Sequence, residues 1–237
     1  MQTQSSQPLA PAAHRPAPSR ANPIAPFLDR IIQHDSLKVM QAMPAGCVDL
    51  IVTDPPYLVD YRSRDGRRIA NDGPENTEWL FDTSREMFRV LKDNAFCVSF
   101  YGWPQAGTFH NAWEQADFRV VGNFVWAKNY ASSTGYTQRR HECAALLAKG
   151  NPPRPSVVPP DVLTGRYTGN RLHPTQKPVE LLEKFIQAYS RPGEIVLDPF
   201  AGSGSTAVAA TQLNRHYIAI ELMQTYAEAA KKRLSKT

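Results

Sequence analysis

The sequence predicts an α/β protein whose mainly parallel sheet is covered by helices on both faces. Three observations predict it. Short apolar runs alternate with stretches of helical spacing along most of the chain. Runs such as Leu50, Ile51 and Val52 are continuous, as in strands buried on two faces. Acids stand at or near the ends of these runs, at Asp35, Asp54, Asp198 and Glu221. In parallel sheets ligands bind at the carboxyl ends of strands.

The elements follow in order. "DRIIQHD" (29–35) is a short strand and "SLKVMQAMP" (36–44) a helix, capped by Asp35 or Ser36. "VDLIVTD" (48–54) is the next strand. "TEWLFDTSREMFRVLK" (77–92) has helical spacing at Trp79, Leu80, Met87, Phe88 and Leu91. "AFCVSFYG" (95–102) is an apolar strand, and "PQAGTFHNAWEQA" (104–116) reads as a helix. "FRVVGNFVWAK" (118–128) and "HECAALLAK" (141–149) read as two strands. "TQKPVELLEKFIQAYS" (175–190) is an amphipathic helix and "EIVLDPF" (194–200) a strand. "SGSTAVAATQLN" (203–214), "RHYIAIEL" (215–222) and "TYAEAAKKRLSK" (225–236) give helix, strand and helix.

At 237 residues the chain is long enough for one substantial domain with a real core. Residues 1–26 carry six prolines and no acid, so a disordered tail is expected there, with the folded domain over 27–237. The proline-rich stretch "GNPPRPSVVPPDVL" (150–163) is expected to be a loop or small insertion. No run approaches a membrane span, and the N-terminus lacks the charged-then-apolar pattern of a secretory signal. Cys47, Cys97 and Cys143 are odd in number and widely spaced, supporting neither a disulfide framework nor a zinc knuckle. A reducing cytoplasm is the expected compartment, with no metal.

Charge distribution says more than the total of +5. Between Lys128 and Lys177 eight Lys/Arg face two acids, an excess larger than that of the whole chain. Elsewhere the strand at 48–54 ends on Asp54, runs through Pro55, Pro56 and Tyr57, and is followed by Arg62, Arg64, Arg67 and Arg68. Turn chemistry explains Asp54 and Pro55 but leaves the aromatic and the arginines unexplained.

"VLDPFAGSGST" (196–206) is a strand, a glycine turn and a helix start. Gly202 and Gly204 let the backbone turn tightly and approach a ligand. No Gly-Lys-Ser/Thr follows, which disfavours a phosphate-binding P-loop. Glu221 ends the next strand, where an acid can hold a ribose hydroxyl pair. Asp198 at the turn argues against a pyrophosphate and suits an ammonium group. A nucleoside joined to an amino acid, S-adenosylmethionine, meets both demands.

These residues carry a resemblance. "DPPY" (54–57), "HPTQKPVELLEKFI" (173–186) and "DPFAGSGST" (198–206) resemble the amino-group DNA methyltransferases of the circularly permuted beta subgroup. "HDSLKVMQAMPAGCVDLIVTDPPY" is similar to that family's opening, although a glycine more often stands where His34 is. The similarity spans about Ile31 to Leu234. It implies a Rossmann-like S-adenosylmethionine-dependent methyltransferase fold in which the catalytic tetrapeptide precedes the cofactor turn.

By that resemblance Asp198, Phe200, Gly202, Ser203, Gly204 and Thr206 would line the methionine side of the cofactor. Glu221 would bind the ribose and Asp35 the adenine amino group, while Thr175, Gln176, Lys177 and Pro178 would cap the methionine end. Blander roles are open for two of these sites: Asp35 as a helix cap, and the stretch from His173 to Pro178 as a helix start.

Asp54, Pro55, Pro56 and Tyr57 would be the catalytic set. An exocyclic amino group is a poor nucleophile because its lone pair is delocalised into the ring. The Asp54 carboxylate and the Pro55 carbonyl are two acceptors for its hydrogens, and the prolines fix where that carbonyl points. The base must leave the duplex first, and Tyr57 supplies a ring for it to stack on. In the family, Asp at the first position is commoner in adenine-N6 enzymes and Ser in cytosine-N4 enzymes, so Asp54 implies adenine.

The implied partner is double-stranded DNA. Arg62, Arg64, Arg67 and Arg68 are expected to contact phosphates beside the flipped base, and Arg139 and Arg140 lie in a stretch mixing aromatic, hydroxyl and arginine groups. A solvated charged loop is the bland alternative for the first four. The region 152–171 occupies the target-recognition position but is short, which implies a short site, low specificity or help from a second subunit in a homodimer. Cytosine-N4 methylation is the alternative activity. An inactive DNA-binding regulator and a nicotinamide-dependent oxidoreductase fit the intact motifs less well.

Overall fold

The computed structural model describes residues 22–63, 66–131, 136–165 and 172–237. Strand β1 (Arg30–Gln33) leads into helix α1 (Ser36–Ala42), and β2 (Val48–Thr53) follows. Next come α2 (Glu78–Val90), β3 (Leu91–Tyr101), a 3-10 turn (Trp103–Gln105) and α3 (Ala106–Gln115). Strands β4 (Arg119–Ala127), β5 (His141–Lys149) and β6 (Val162–Thr164) precede α4 (Val179–Tyr189) and β7 (Ile195–Asp198). The chain closes with α5 (Ser205–Gln212), β8 (His216–Glu221) and α6 (Gln224–Leu234).

All the strands join one sheet in the order β1-β8-β7-β2-β3-β5-β4-β6. β1, β8, β7, β2 and β3 run parallel to one another, whereas β5 is antiparallel to both β3 and β4. The alternation of strand side chains explains why both faces are covered. Leu50 and Val52 pack with Leu182, Phe185 and Ala209 under α4 and α5. Ile51 points the other way, into a core with Met40, Leu80, Met87 and Trp113 from α1, α2 and α3. Leu50, Ile51 and Val52 are fully buried, a burial worth about 1.5–3 kcal/mol per side chain.

Connections from β2 proceed to β3 on one side, and connections from β7 proceed to β8 on the other. The switch of direction between β2 and β7 opens a crevice at their carboxyl ends, where α/β sheets bind ligands. Asp54 follows β2 and Asp198 ends β7, so both stand at that crevice.

Three local expectations are corrected. The helix of α2 stops at Val90 because Leu91 is extended and pairs with Val48, so β3 starts four residues before Ala95. Val162–Thr164, at the end of the proline-rich stretch, forms β6 parallel to β4, since Leu163 is buried beside Trp126. Ile24, inside the expected tail, is buried in the core with Met43 and Leu91. Residues 1–21 of that tail lie outside the described residues. No helix among the described residues is long and apolar enough to cross a membrane.

Candidate active site

After Thr53 the strand β2 delivers Asp54, Pro55, Pro56 and Tyr57 to the crevice. Tyr57 donates its hydroxyl to Asp54 Oδ1 at 2.7 Å, and Lys177 Nζ donates to Asp54 Oδ2 at 2.5 Å. Lys177 also reaches Tyr57 Oη at 3.3 Å and Glu142 Oε2 at 3.0 Å. Glu142 in turn accepts from Lys128 Nζ at 3.0 Å. Two acids and two lysines therefore form one buried, charge-balanced chain, with the lysines 5–6% exposed.

The electrostatics follow from that burial. Loss of water pushes the Asp54 carboxyl above the usual range, against the opposing pull of Lys177. Burial also raises Glu142, but Lys177 and Lys128 outweigh it and hold that carboxyl below its ordinary value. Lys177 is raised above its usual range because Asp54 and Glu142 outweigh its desolvation. The Tyr57 phenol is pushed far up by burial and by Asp54, so it stays a donor.

The glycine turn begins where β7 ends. Asp198 Oδ1 accepts from the Phe200 N–H at 3.1 Å, and Oδ2 from Thr206 Oγ1 at 2.6 Å. Burial pushes the Asp198 carboxyl up to about 7, and no cation pairs with it among the described residues. Glu221 at the end of β8 accepts from the Gly202 and Met223 N–H groups, each at 2.8 Å. Gly202 and Gly204 have φ of +50° and +76°, in the left-handed region that favours glycine.

Two adjoining cavities meet at Asp54. The larger, about 850 Å³ and open to solvent, takes in Asp35, Tyr57, Phe200, Gly202 and Glu221. The smaller, about 390 Å³, takes in Gln176, Lys177, Asp198, Ser203 and Thr206. Asp54, Thr175, Phe200 and Gly202 line both. Asp35 also caps α1, its Oδ1 accepting from the Lys38 N–H at 3.0 Å, so the cap and a place in the cleft coexist.

Two expected cleft residues sit elsewhere. Gly204 lines neither cavity, although Ser203 and Ser205 beside it line the smaller; a Cβ there would come within 2.9 Å of Ala230 Cβ, so its missing side chain makes room for α6. Pro178 is buried at the N-cap of α4, away from both cavities. Lys177 is in the smaller cavity, but its ammonium is committed to Asp54 and Glu142.

The described arms of the arginine loop, 61–63 and 66–69, pair as the two sides of a hairpin. Arg62 pairs with Arg68 in an antiparallel bridge, and Ser63 N–H donates to Arg67 O at 3.0 Å. Asp72, 3% exposed, anchors its base by accepting from the Tyr61 N–H at 2.6 Å. Tyr61 and Ile69 from this hairpin wall the larger cavity. Arg62 and Arg68 are exposed, while Arg67 is half-buried with its charge felt at His173. Arg64 lies outside the described residues. Arg139 and Arg140 are exposed, and Arg139 stands 5.9 Å from the Trp103 ring.

Glu142, Lys128, Asp72 and His173 join the site without a binding or catalytic role expected of them from the sequence. His173 lines both cavities, and burial with the charges of Lys177 and Arg67 pushes it down to about 4, so it is neutral at physiological pH. In the sequence Glu142 and Lys128 are a lone acid and a lone lysine at the two ends of a polar stretch.

The residues present fit a nucleoside joined to an amino acid. Asp198 is a buried carboxylate with hydrogen-bond donors but no cation, a position an ammonium would complete. Glu221 and Asp35 bring carboxylates to the larger cavity, where hydroxyl and amino donors would be met.

A parallel sheet with a glycine turn at its switch point, and an acid ending the next strand, defines a Rossmann-like α/β fold of the nucleotide-binding class. Within that class the DNA methylase family profile matches residues 48–232, and the chain belongs to that family. It is 51% identical over 208 residues to YubD of Escherichia coli (strain K12), covering 88% of this chain and 91% of that one. The type II methyltransferase M2.LlaDCHI of Lactococcus lactis subsp. cremoris is 30% identical over 245 residues, covering 87% and 89%. The crystal structure of the M1.HpyAVI–SAM complex superposes with a TM-score of 0.69 at 25% identity, covering 86% of this chain and 98% of that one. PvuII DNA methyltransferase (cytosine-N4-specific) shares the fold at a TM-score of 0.69 and 18% identity, covering 86% and 88%.

Proposed function

We propose that the protein transfers a methyl group from S-adenosylmethionine to the N6 amino group of an adenine flipped out of double-stranded DNA. The observation that carries this reading is the place of Asp54 on the wall common to both cavities, with Tyr57 beside it. Asp198 in one cavity, and Glu221 and Asp35 in the other, would hold the cofactor. When bound, it supplies an electrophilic methyl on a sulfonium.

The chain's own residues do the rest. Asp54 accepts a hydrogen of the amino group, drawing its lone pair out of conjugation, and the Pro55 carbonyl is the second acceptor. Lys177 pairs with Asp54 and opposes the upward push of burial on its carboxyl. Tyr57 offers a ring to the extruded base, a contact worth about 1–3 kcal/mol. Exposed Arg62, Arg68, Arg139 and Arg140 are the sources of phosphate contacts. Aspartate rather than serine at position 54 favours adenine.

Incubation of unmethylated DNA with methyl-labelled S-adenosylmethionine, followed by nucleoside analysis, tests the reading. N6-methyladenine is expected. N4-methylcytosine would move the activity to the other exocyclic amine, and absence of label would replace it with a binding role.

A further inference from the structure

The ammonium of Lys177 has three donors, and each meets an acceptor: Asp54 Oδ2 at 2.5 Å, Glu142 Oε2 at 3.0 Å and Tyr57 Oη at 3.3 Å. Lys177 itself lies just before α4, its backbone carbonyl accepting from Ser205 Oγ at 2.9 Å, and the tip of its long side chain is placed by separate contacts. Glu142 sits on β5 and faces Trp126 of β4 in the antiparallel ladder, inside the sheet. The Lys177 tip is therefore fixed to the sheet from one side through Glu142, and to the end of β2 from the other through Asp54.

Lys128 leaves the end of β4 and completes the set. Its Nζ holds the second oxygen of Glu142, and its backbone N–H donates to Arg140 O at 2.7 Å. Without Lys128 the Glu142 carboxylate would draw on Lys177 alone, in competition with Asp54. Without Glu142, two lysines that are 5–6% exposed would share one acid. Either change alters how firmly Lys177 grips Asp54, and so where the Asp54 oxygens stand.

We propose that Glu142 is a positioning residue for methyl transfer. From β5 it holds the Lys177 ammonium, and through it the Asp54 carboxylate and the Tyr57 hydroxyl, in register with the reacting amine, while Lys128 balances its charge. The inference rests on the reading of Asp54 as the acceptor of the amino hydrogens. It adds a residue that touches neither substrate nor cofactor.

Two charge-balanced double variants test it. Glu142→Gln with Lys128→Met keeps an oxygen for Lys177, and Glu142→Ala with Lys128→Met removes it. Both lose one cation and one anion, so a difference between them reports the hydrogen bond rather than an unpaired buried charge. The alanine variant is expected to have a kcat about ten- to a hundred-fold below the glutamine variant, the scale of an ångström-level misplacement. KM for S-adenosylmethionine is expected to agree within about two-fold between them, because the cofactor is not the group displaced.

If the alanine variant does not fold, Glu142→Leu with Lys128→Met refills the volume and takes its place. Equal kcat values in the two variants, or a difference confined to KM or to melting temperature, would overturn the proposal. The reading beneath it fails differently: it falls if the unaltered protein methylates no DNA, or if Asp54→Ala remains fully active.

Discussion

Lys177 Nζ lies 2.5 Å from Asp54 Oδ2, joining the end of β2 to a segment 123 residues further along the chain. Burial pushes the Asp54 carboxyl up, and Lys177 is the main group opposing that shift. Replacing the lysine by methionine therefore raises the Asp54 pKa further. The ionised acceptor would then form only at higher pH. Lys177→Met is expected to move the acidic limb of the kcat profile to higher pH, with activity partly regained as pH rises. An acidic limb unchanged from the unaltered protein would show that the pair does not govern ionisation of Asp54.

Tyr57 combines two contributions that substitution separates. Its ring faces the larger cavity, and its hydroxyl donates to Asp54 Oδ1 at 2.7 Å. A hydrogen bond to a charged group contributes about 1.5–3 kcal/mol. Tyr57→Phe keeps the ring and loses this bond, so kcat is expected to fall about ten-fold or more, by 1.4 kcal/mol per decade. Tyr57→Ala loses both and is expected to fall well below the phenylalanine variant. Steady-state kinetics on a duplex carrying one target site measures the gap, and equal activities would remove the stacking role.

The sheet and most helices were legible because their signal is local. Apolar runs and helical spacing depend on neighbouring residues, and the acids at strand ends could be counted from the same pattern. Strand β6 was hidden because its three residues follow a Pro-Pro pair, and Leu163 is buried by residues far off in sequence, Trp126 of β4 among them. Glu142 was hidden for a related reason. In "HECAALLAK" it is one acid in an apolar run, and its meaning comes from Lys128 and Lys177, which only the fold brings near. The need for glycine at 204 could be read from its motif, but not that α6 occupies the space beside it.

That occupied space gives a stability prediction. Gly204 has φ of +76°, and a Cβ would stand 2.9 Å from Ala230 Cβ. Gly204→Ala meets backbone strain and overpacking together, a cost of about 1–3 kcal/mol. For a domain of this size, each kcal/mol lowers the melting temperature by about 2–4 °C. Because residue 204 lines neither cavity, the loss is expected in thermal unfolding, with cofactor affinity changing less than stability. Shortening residue 230 as well, with Ala230→Gly, is expected to relieve the contact but not the strain in φ. Partial rather than full recovery in the double variant is the outcome to look for.

Asp198 makes cofactor binding depend on pH. Burial holds its carboxyl at about 7, so below that pH the free protein carries it neutral. A ligand ammonium favours the ionised form and lowers this pKa, so binding releases a proton in that range. The sign is therefore fixed. Affinity for S-adenosylhomocysteine, which keeps the amino-acid portion, is expected to rise by up to about ten-fold per pH unit as pH climbs towards 7, and to level off above. 5′-Methylthioadenosine, which has no ammonium, is expected to show no such rise. Glu221 is also raised by burial, so the slope must be assigned by substitution. Asp198→Asn keeps an oxygen for the Phe200 N–H and places an amide N–H beside the Thr206 hydroxyl, which can turn to accept from it, so the charge is removed while both contacts can persist. Calorimetric titrations between pH 5.5 and 7.5, in buffers of different ionisation enthalpy, give both affinity and protons released. The same slope in Asp198→Asn as in the unaltered protein would place the ammonium somewhere other than beside Asp198.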